Sequence, residues 1–399
     1  MKQLKIPAVF MRGGTSNAIV FKQQDLPADR VLWPEIFLAA QGSPDPFGRQ
    51  LNGMGGGISS LSKICVIGPP SRDDADIDYT FAQIGVRDTS VGFSSNCGNM
   101  SSAMAQFAVD EGLVKVSGAQ AMVRIHNTNT NKIIVSRFDM DEGLAAVDGD
   151  YVMPGVAEPG AKVRLDFLEP GGAITGTLLP TGKAMDILDV PGLGQVESSV
   201  VDAAMAGVFV DASALGLEGT ELPGDIDAMG EVMDKLEAVR REAGYRAGIA
   251  DSPEAMANQP AALSPGIVTG PLDSPTLSGE TIPAGGGDLV VRIVSCGNTH
   301  RALPATGSVC TAVAARIGGS IVHRAARQTD DPQSDIRMVH PSGMMVLAAS
   351  LQKRPDGWYA ESATLYRTQR RLFEGFVYVP ASKVPGFIEL QKPRSSAAN

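Results

Sequence analysis

The sequence has few aromatic residues and no excess of basic ones. Phe, Trp and Tyr make up 5% of its 399 residues, and 34 basic residues stand against 44 acidic ones, which gives a formal net charge of −10. Proteins that bind nucleic acid usually carry clustered basic residues, together with aromatic side chains that stack on bases. The composition therefore argues against a nucleic-acid partner and against an aromatic surface for glycans.

Long apolar runs are also missing. Residues 1–7 (MKQLKIP) lack the apolar stretch and the small-residue cleavage site of a signal peptide. Nowhere in the sequence is an apolar run long enough to span a bilayer. We therefore expect a cytoplasmic protein that has no membrane partner.

Cysteine is scarce as well. The four cysteines, Cys65, Cys97, Cys296 and Cys310, lie far apart, and no two of them form a C-x-x-C pair. This spacing argues against a zinc site and against a disulfide framework, and it fits a reducing compartment. We expect no metal site.

Glycine and proline, by contrast, are plentiful. The 45 glycines and 26 prolines indicate many turns between short elements, and 43% hydrophobic residues can fill sizeable cores. A chain of this length exceeds one ordinary hydrophobic core. Two domains of ordinary size are therefore the default expectation.

The most informative stretch is residues 92–103 (GFSSNCGNMSSA). In it Cys97 stands between two asparagines and directly before a run of small residues with helical length and composition. The first backbone N–H groups of a helix have no intrahelical acceptor, and the helix dipole adds partial positive charge there. A thiolate and a bound carboxylate are both favoured at such a position. The stretch therefore indicates acid–base chemistry beside a carboxylate.

A purely structural interpretation of the same stretch stays open. Asn96 or Asn99 can simply cap the helix, as asparagine often does. Cys97 can be a small buried residue, since a free cysteine packs like an apolar side chain. The stretch alone does not decide between the two interpretations.

A second stretch has the same character. Polar residues and glycine over residues 298–308 lead into the short apolar segment Val309–Ile317, which is again rich in small residues. Each half of the chain therefore contains one such helix, which suggests a two-fold pseudo-repeat. The two helix starts can face one cleft and bind a substrate with two carboxylates. Cys310 lies inside the second helix, and we assign it to packing.

Lys63 follows a loop rich in glycine and serine, residues 52–62, and leads into the apolar strand Ile64–Ile67. The loop resembles an anion-binding loop, but it lacks the G-K-[ST] of a P-loop, so nucleotide binding is unsupported. Lys63 is either a solvated surface residue or a desolvated lysine whose depressed pKa lets it act as a base.

An acidic run at residues 73–79 (DDADIDY) resembles a metal-binding loop, but the glycine and the terminal glutamate of an EF-hand are missing. Polar and apolar residues alternate over Asp76–Phe81, which predicts a strand with one face in water. We predict that His126 is a turn residue at a hairpin tip, that His323 lies on a strand surface and that His340 starts a turn.

Other segments are assigned from periodicity and composition. Apolar residues recur at helical spacing over Asp25–Ala40 and Asp225–Gly244, which predicts two amphipathic helices. Asp251–Pro283 is rich in Pro, Ala and Ser, which predicts a long surface loop. We expect Lys392–Asn399 to be a frayed tail.

Eight short motifs follow one another over nearly the whole chain. Each is weak alone, but the ordered set resembles the PrpF family, which includes the aconitate isomerase of the methylcitrate pathway, methylitaconate isomerase and 4-oxalomesaconate tautomerase. The motifs are Met11–Ser16 (MRGGTS), Gly42–Asp45 (GSPD), Gly53–Gly56 (GMGG) with Ser62 and Lys63, Asp76–Tyr79 (DIDY), Asn96–Asn99 (NCGN), Leu179–Gly182 (LPTG), His340–Gly343 (HPSG), and Glu374 with Gly375.

The resemblance implies a diaminopimelate-epimerase-like fold of mixed α/β (α+β) class. In this fold two similar domains, each a barrel-like mixed β-sheet around a central helix, enclose an active site in the cleft between them. On this basis we predict a first domain at residues 1–185, which contains Lys63 and Cys97, and a second at residues 186–375. A C-terminal strand at about 376–390 is expected to return to the first domain.

The resemblance also implies a reaction. Members of this family move a double bond in an unsaturated di- or tricarboxylate by a 1,3 proton shift, without a cofactor. Lys63 and Cys97 are the implied acid–base pair, and which of the two is the base stays open. The residues expected to bind substrate carboxylates are Thr15, Ser16, Asn17, Asn96, Gly98, Asn99, Thr306, Gly307 and Ser308.

Two positions depart from the family pattern. Asn17 replaces the lysine that usually follows Thr-Ser, and Lys183 stands where an asparagine often follows Leu-Pro-Thr-Gly. Both lie in predicted loops that can touch substrate, so the substrate can differ from that of any named member.

Two rival functions remain. An amino-acid epimerase or racemase that uses Cys97 needs a second cysteine at the opposite helix start, where this chain has Pro304–Thr306. A non-catalytic accessory protein that binds polycarboxylates in the same cleft would not need Lys63 or Cys97 as acid–base groups. We prefer the isomerase because both residues stand in their motifs. As partners we expect the polycarboxylate substrate, an aconitase-like dehydratase and a second copy of the chain in a homodimer.

Overall fold

The computed structural model describes residues 3–329, 331 and 334–386. Its strands in the first half of the chain are β1 (Gln3–Gly13), β2 (Ser16–Lys22), β3 (Lys63–Gly68), β4 (Ile77–Ile84), β5 (Val91–Gly92), β6 (Gln120–Asn127), β7 (Lys132–Asp141), β8 (Leu144–Ala145) and β9 (Val163–Leu168). The later strands are β10 (Asp186–Val190), β11 (Gly194–Asp202), β12 (Ala206–Asp211), β13 (Leu263–Thr269), β14 (Ser274–Pro275), β15 (Thr281–Ile282), β16 (Leu289–Ser295), β17 (Asn298–Thr299), β18 (Ile336–His340), β19 (Gly343–Arg354), β20 (Gly357–Arg367) and β21 (Gln369–Pro380).

Helices are fewer than strands. The α-helices are α1 (Trp33–Gln41), α2 (Gly98–Asp110), α3 (Pro223–Ala228), α4 (Gly230–Arg246), α5 (Ala305–Arg316) and α6 (Ile321–Ala325). Short 3₁₀ helices occur at Gln23–Asp25, Arg30–Leu32, Ser59–Leu61, Ala212–Leu215, Ala255–Asn258 and Ala381–Lys383. None of the helices in the described part of the chain combines the length and the apolar character that a membrane crossing requires.

Of the strands in the described residues, β14 and β15 pair only with each other, and the others form one continuous sheet of mixed parallel and antiparallel pairs. The first half of the sheet consists of the strands of the first half of the chain together with β20 and β21 from its end. Its strand order is β21, β1, β2, β3, β4, β6, β7, β9 and β20. In the second half the order is β19, β18, β16, β13, β12, β11 and β10. The two parts join where β19 pairs with β20. The pairing of β21 with β1 brings the end of the described chain back to its start, while the domain boundaries themselves stay predictions.

Each part of the sheet surrounds one central helix. Residues 98–109 of α2 and 305–315 of α5 are all buried, and both helices belong to a single apolar cluster that runs through both halves. A helix that is apolar on every side is expected to be enclosed. The hydroxyl groups on these helices are satisfied locally, since Ser102 donates to the Asn99 carbonyl and Thr311 to the Gly307 carbonyl, each at 2.7 Å.

The predicted surface loop at residues 251–283 is wrong, because it contains the buried strand β13. This strand lies between β12 and β16. Pro265 and Gly266 inside it hide the strand in the sequence, since both residues are depleted from strand interiors. Gly266 is needed there because a Cβ atom at this position would lie 2.5 Å from the Phe209 ring.

The predicted wet face of the acidic strand is also wrong. Strand β4 has β3 on one side and β6 on the other, so it is not an edge, and its side chains are covered on both faces. Asp78 is buried, and its Oδ1 lies 2.8 Å from Nδ1 of His126. His126 is therefore a buried residue of β6 rather than a turn residue.

The remaining differences are local. His323 lies on α6 and not on a strand, whereas His340, the last residue of β18, directly precedes the turn at residues 341–342, as predicted. Helix α1 begins only at Trp33, after two short 3₁₀ turns, and the second predicted amphipathic helix is divided into α3 and α4 at Met229. The predicted tail, residues 392–399, lies outside the described residues.

Candidate active site

Cys97 lies directly before α2, at its N-cap position. The first backbone hydrogen bond of the helix runs from the Ser101 N–H to the Cys97 carbonyl at 2.9 Å. In the described part of the chain, the N–H groups of the three residues between them, 98–100, have no backbone acceptor. The hydroxyl of Tyr79 donates to the same Cys97 carbonyl at 3.4 Å and so helps to fix the backbone of Cys97. The thiol is 8% exposed and stands beside three free donors, as the sequence predicts.

The start of α5 faces the start of α2. A Cβ atom at Gly98 would lie 2.9 Å from Cβ of Ala305 and 3.2 Å from the methyl group of Thr306. Helix α5 makes its first backbone bond from the Ser308 N–H to the Pro304 carbonyl, so its own first three N–H groups are also without a described backbone acceptor. The two positive helix ends therefore meet at one point, which favours an anion.

Lys63 is the first residue of β3 and is 8% exposed. Its ammonium group donates to Oε1 of Gln83 at 2.5 Å and lies 5.1 Å from the centre of the Phe81 ring. The Gln83 amide nitrogen donates to the carbonyls of Ser59 and Ser62, so its oxygen is turned toward the lysine. Among the described residues, Lys63 has no carboxylate partner. A buried cation without a counter-charge is suited to an anionic ligand.

Lys63 and Cys97 lie in the same neighbourhood. Both act electrostatically on Cys65, which stands two residues after Lys63 on β3. Burial and the nearby Cys97 raise the pKa of the Cys65 thiol, while Lys63 opposes the rise. Cys65 also contacts the Tyr79 hydroxyl at 3.7 Å, and that hydroxyl reaches the Cys97 carbonyl. Cys65 is therefore a buried thiol between the two candidate acid–base residues.

The second half contributes His300, which the sequence did not single out. Its backbone N–H donates to the Ile293 carbonyl at 2.9 Å, which holds it just before α5. Burial and the positive charge of Lys63 lower the pKa of His300 to about 4. His300 is therefore neutral near pH 7, and Lys63 is near enough to disfavour its charged form.

Asn99 connects α2 to the turn between β1 and β2. Its amide nitrogen donates to the hydroxyls of Thr15 and Ser16 at 3.0 and 3.4 Å. Gly14 has φ +53°, and a Cβ atom there would lie 2.5 Å from Oδ1 of Asn99, so the turn has no space for a side chain. These contacts bring Thr15 and Ser16 to the start of α2.

Arg367 was missed by the sequence prediction. It is 2% exposed, and its Nε donates to Oδ1 of Asn99 at 3.1 Å. Burial lowers the pKa of Arg367 to about 10, and the nearby Tyr151 and Cys97 partly offset this effect. The only sequence signal for a buried Arg367 is its spacing of two residues from the apolar Leu365 and of four from the apolar Ala363. This spacing indicates burial only when β20 is known to line the core.

Several predicted binding residues are engaged elsewhere. Ser308 donates its hydroxyl to the Ala305 carbonyl at 2.7 Å, and Oδ1 of Asn96 accepts from Asn127 and Ser101. Asn17 lies on β2 opposite Arg12. Lys183 is largely exposed, with its nitrogen 4.0 Å from a carboxylate oxygen of Asp186. The roles of all predicted site residues, Gly307 included, stay predictions.

No group of three or more His, Cys, Asp and Glu side chains within residues 3–329, 331 and 334–386 is arranged to hold a metal ion. The donors at the helix ends are backbone and side-chain amides and the guanidinium group of Arg367, while the Lys63 ammonium group lies on β3, which packs against α2. This arrangement can bind carboxylates and can stabilise negative charge that develops on a substrate.

Comparison with known proteins places the chain among isomerases. A sequence model of the PrpF protein family matches residues 3–380. The 3-methylitaconate isomerase of Eubacterium barkeri is 38% identical over 96% of this chain and 99% of its own length. The 2-methyl-aconitate isomerase of Shewanella oneidensis is 34% identical over 95% and 98%, and the 4-oxalomesaconate tautomerase of Pseudomonas putida is 33% identical over 95% and 97%.

Solved structures agree with this comparison. A crystal structure of methylitaconate-delta-isomerase superposes with a TM-score of 0.78 at 37% identity and covers 96% of this chain and 98% of its own. A hydroxyproline epimerase from Agrobacterium vitis superposes with a TM-score of 0.57 at 10% identity, covering 96% and 93%. At that identity the likeness shows the fold alone. The expected diaminopimelate-epimerase-like fold is thereby confirmed.

Proposed function

The chain belongs to the PrpF family, and on that premise we propose that it is an isomerase that moves a double bond in an unsaturated di- or tricarboxylate by a 1,3 proton shift. One observation supports this above the others. Cys97 stands at the start of α2, which faces the start of α5, and the buried Lys63, which has no carboxylate partner among the described residues, lies on β3, which packs against α2. The three curated relatives act, by their names, on methylitaconate, methyl-aconitate and oxalomesaconate.

The reaction needs a stabilised carbanion. Removal of a proton from the allylic carbon leaves an electron pair that spreads over the double bond and the adjacent carboxylate. The free N–H groups at the starts of α2 and α5 are fixed before the reaction begins and can stabilise that charge without reorganisation. Burial of the site strengthens this electrostatic effect, because the local dielectric constant is low.

Two proton carriers complete the shift. One of Cys97 and Lys63 takes the proton from the first carbon, and the other delivers a proton to the carbon at the far end of the allylic system. The double bond moves by one position, and no atom or electron is gained or lost overall. Positioned proton transfer of this kind contributes on the order of 10²–10⁴-fold to a rate.

The rival epimerase is disfavoured by the position of Cys310. Its Sγ atom lies 3.3 Å from the Val201 carbonyl, and the residue is fully buried inside α5. The start of α5 offers Ala305 and Thr306 in place of a thiol. A two-cysteine mechanism therefore lacks its second thiol at the facing helix end.

Other aspects of the function remain proposals. From the family resemblance we propose that the enzyme needs no cofactor. We also propose that it works in the cytoplasm, because Cys97 must stay reduced to act as an acid–base group. A homodimer and an aconitase-like dehydratase as partner are kept as predictions from the family resemblance.

The proposed reaction can be tested by proton NMR in D₂O. The protein is mixed separately with trans-aconitate, 2-methylaconitate, methylitaconate and 4-oxalomesaconate. We expect loss of a vinyl or methylene signal and incorporation of deuterium with at least one of them. Cys97→Ser should abolish the exchange, whereas Cys296→Ser, a matched change at an exposed thiol, should not. Binding without exchange by the wild-type protein would support the non-catalytic alternative.

A further inference from the structure

Arg367 carries more hydrogen-bond donors than its surroundings can satisfy. A guanidinium group has five N–H donors. The acceptors around Arg367 are Oδ1 of Asn99 at 3.1 Å, its neighbour's carbonyl at Tyr366 at 2.9 Å, and the sulfur of Met345 at 3.3 Å. Sulfur is a weak acceptor, and no carboxylate among the described residues pairs with Arg367. The group is nevertheless 2% exposed.

His340 presents a second unsatisfied donor. Its side chain is fully buried, and Nδ1 accepts a hydrogen bond from the Ser342 N–H at 3.2 Å. Burial, together with the charges of Arg367 and Arg292, lowers the pKa of His340 to about 3, so the ring is neutral. A neutral ring whose Nδ1 accepts must carry its proton on Nε2. That Nε2 has no hydrogen-bond partner in the described part of the chain.

The strand pairings place both groups on the same inner face. Arg367 stands two residues after the core residue Leu365 on β20, and His340 stands two residues after the core residue Met338 on β18. Residues two apart on a strand point to the same face, so both side chains face the core. Met338 pairs with Met345 on β19, so their side chains share a face, and Met345 is the residue whose sulfur contacts Arg367. Both donors therefore point toward the core, where Arg367 reaches Asn99 at the start of α2.

A second buried arginine shows what a structural role looks like. Arg292 is also fully buried, but it donates to the carbonyls of Thr220, Glu221 and Val291 and to the hydroxyl of Ser274. These acceptors tie down a neighbouring segment and use most of the guanidinium donors. Arg367 lacks such a set of oxygen acceptors, which indicates that some of its N–H donors are available to a ligand.

We propose that Arg367 and His340 form a subsite that binds one carboxylate of the substrate next to Cys97. A carboxylate has two oxygens with about four acceptor positions and carries a negative charge. It can therefore accept hydrogen bonds from the Arg367 guanidinium group and from Nε2–H of His340, and it can neutralise the charge of Arg367. This proposal rests on the proposed function and deepens it, because it assigns a binding position to one end of a polycarboxylate. It adds two residues to the predicted substrate-binding set, of which His340 lies in one of the motifs and Arg367 in none.

Binding of an unreactive ligand tests the subsite without catalysis. Propane-1,2,3-tricarboxylate is saturated and cannot undergo an allylic shift, so its dissociation constant can be measured by calorimetry. We expect Arg367→Gln to weaken binding on the order of 10- to 100-fold, since hydrogen bonds to charged groups are strong. Arg367→Lys should lose less, because it keeps the charge. Arg240→Gln, a change at another buried arginine that is bonded to Glu237 on the outer helix α4, should bind like wild type.

His340 is tested by two substitutions that divide its functions. Asparagine can keep the acceptor for the Ser342 N–H but lacks the Nε2 donor, whereas glutamine can keep a donor near the Nε2 position. We expect His340→Asn to weaken tricarboxylate binding more than His340→Gln. In wild-type protein labelled with ¹⁵N-histidine, the Nε2 resonance that is lost in both variants should shift when the tricarboxylate is added.

The outcomes separate this proposal from the proposed function. Unchanged affinity in a folded Arg367→Gln variant, or no shift of the Nε2 resonance on saturation of the wild-type protein, would overturn the subsite. Absence of any wild-type binding at millimolar tricarboxylate would overturn it too. If binding depends on Arg367 and His340 but none of the four unsaturated acids exchanges deuterium, the subsite stands and the isomerase proposal fails.

Discussion

At the scale of single residues, the partner of Lys63 is decisive. Gln83 accepts a hydrogen bond from the ammonium group but adds no charge, so the positive charge stays available to a substrate anion. A carboxylate in place of this amide would pair with the lysine directly. Because its partner Gln83 is neutral, Lys63 is positioned to bind a ligand and is not part of a structural ion pair.

This leads to a prediction for Gln83→Glu. The new carboxylate should compete with the substrate for Lys63 and repel its carboxylates, so KM is expected to rise at least tenfold. The measurement is steady-state kinetics with the acid identified by the deuterium experiment. Gln195→Glu, which adds the same charge at an exposed position of β11, serves as control. Equal KM values for the two variants would contradict the assigned role of Lys63.

A second prediction at this scale concerns pH. His340 titrates near pH 6.5 in the unfolded chain but only near pH 3 in the folded protein, because burial disfavours its charged form. Between these values the unfolded state binds more protons, so the stability contribution is present above pH 6.5 and is lost as the pH falls toward 3. The slope from this residue is about 1.4 kcal/mol per pH unit.

Urea unfolding at several pH values checks this slope. We expect the free energy of unfolding of His340→Asn to decrease less steeply below pH 6.5 than that of the wild-type protein. Parallel curves for the two proteins would show that His340 is charged in the folded state. The carboxylates contribute equally to both curves, so the difference isolates the histidine.

At the scale of elements, the contact between the starts of α2 and α5 depends on the missing side chain of Gly98. Gly98→Ala should push the helix ends apart, because the added Cβ atom would lie 2.9 Å from Cβ of Ala305. We expect a loss of about 1–3 kcal/mol in unfolding free energy from overpacking. A fall in kcat of at least tenfold should accompany it, because the free N–H groups move apart.

A compensating change makes this test specific. Ala305→Gly removes the atom that the new methyl group would strike, so the double variant should regain much of the activity that Gly98→Ala loses. Ala305→Gly alone measures the cost of glycine in the first turn of α5. If the double variant loses as much activity as the losses of the two single variants combined, the contact between the helix ends does not control the site.

Element boundaries were predicted well where the local signal was strong. The starts of α2 and β3 were placed from the asparagine and glycine residues around Cys97 and from the apolar run after Lys63, and both are confirmed. Strand β13 was missed because Pro265 and Gly266 resemble loop residues. Its place in the sheet depends on β12 and β16, which are distant in sequence.

At the scale of the whole molecule, β20 ties the two halves together. It pairs with β9 of the first half and with β19 of the second, and the core cluster around α2 and α5 is continuous. Neither central helix can lose its surrounding strands without exposing part of the shared core. We therefore predict that the two halves unfold together.

The two tryptophans make this prediction measurable. Trp33 is buried beneath the first half of the sheet, and Trp358 lies on β20 against the shared core. Single-tryptophan variants, Trp33→Phe and Trp358→Phe, report on different parts of the molecule by fluorescence. Their urea transitions should coincide with each other and with loss of circular dichroism. Two separate midpoints would falsify cooperative unfolding of the halves.

The sequence by itself determined the family, the two small-residue helices and the preference of their starts for negative charge, because ordered short motifs and local composition encode backbone conformation directly. It also indicated Lys63 and Cys97 as candidates, since each stands at the beginning of a strongly marked element. These features depend on neighbours within a few residues, and such signals can be read along the chain.

Only the tertiary structure decided which side chains join these two residues. Gln83, His340 and Arg367 come from β4, β18 and β20, and strand register brings each to the site or its surroundings. His300 comes from the loop before α5, where its backbone N–H bonds to the Ile293 carbonyl. A shift of one residue in register would turn a side chain to the opposite face of its strand. The physical reason is that pairing between distant strands, which local sequence does not specify, sets that register.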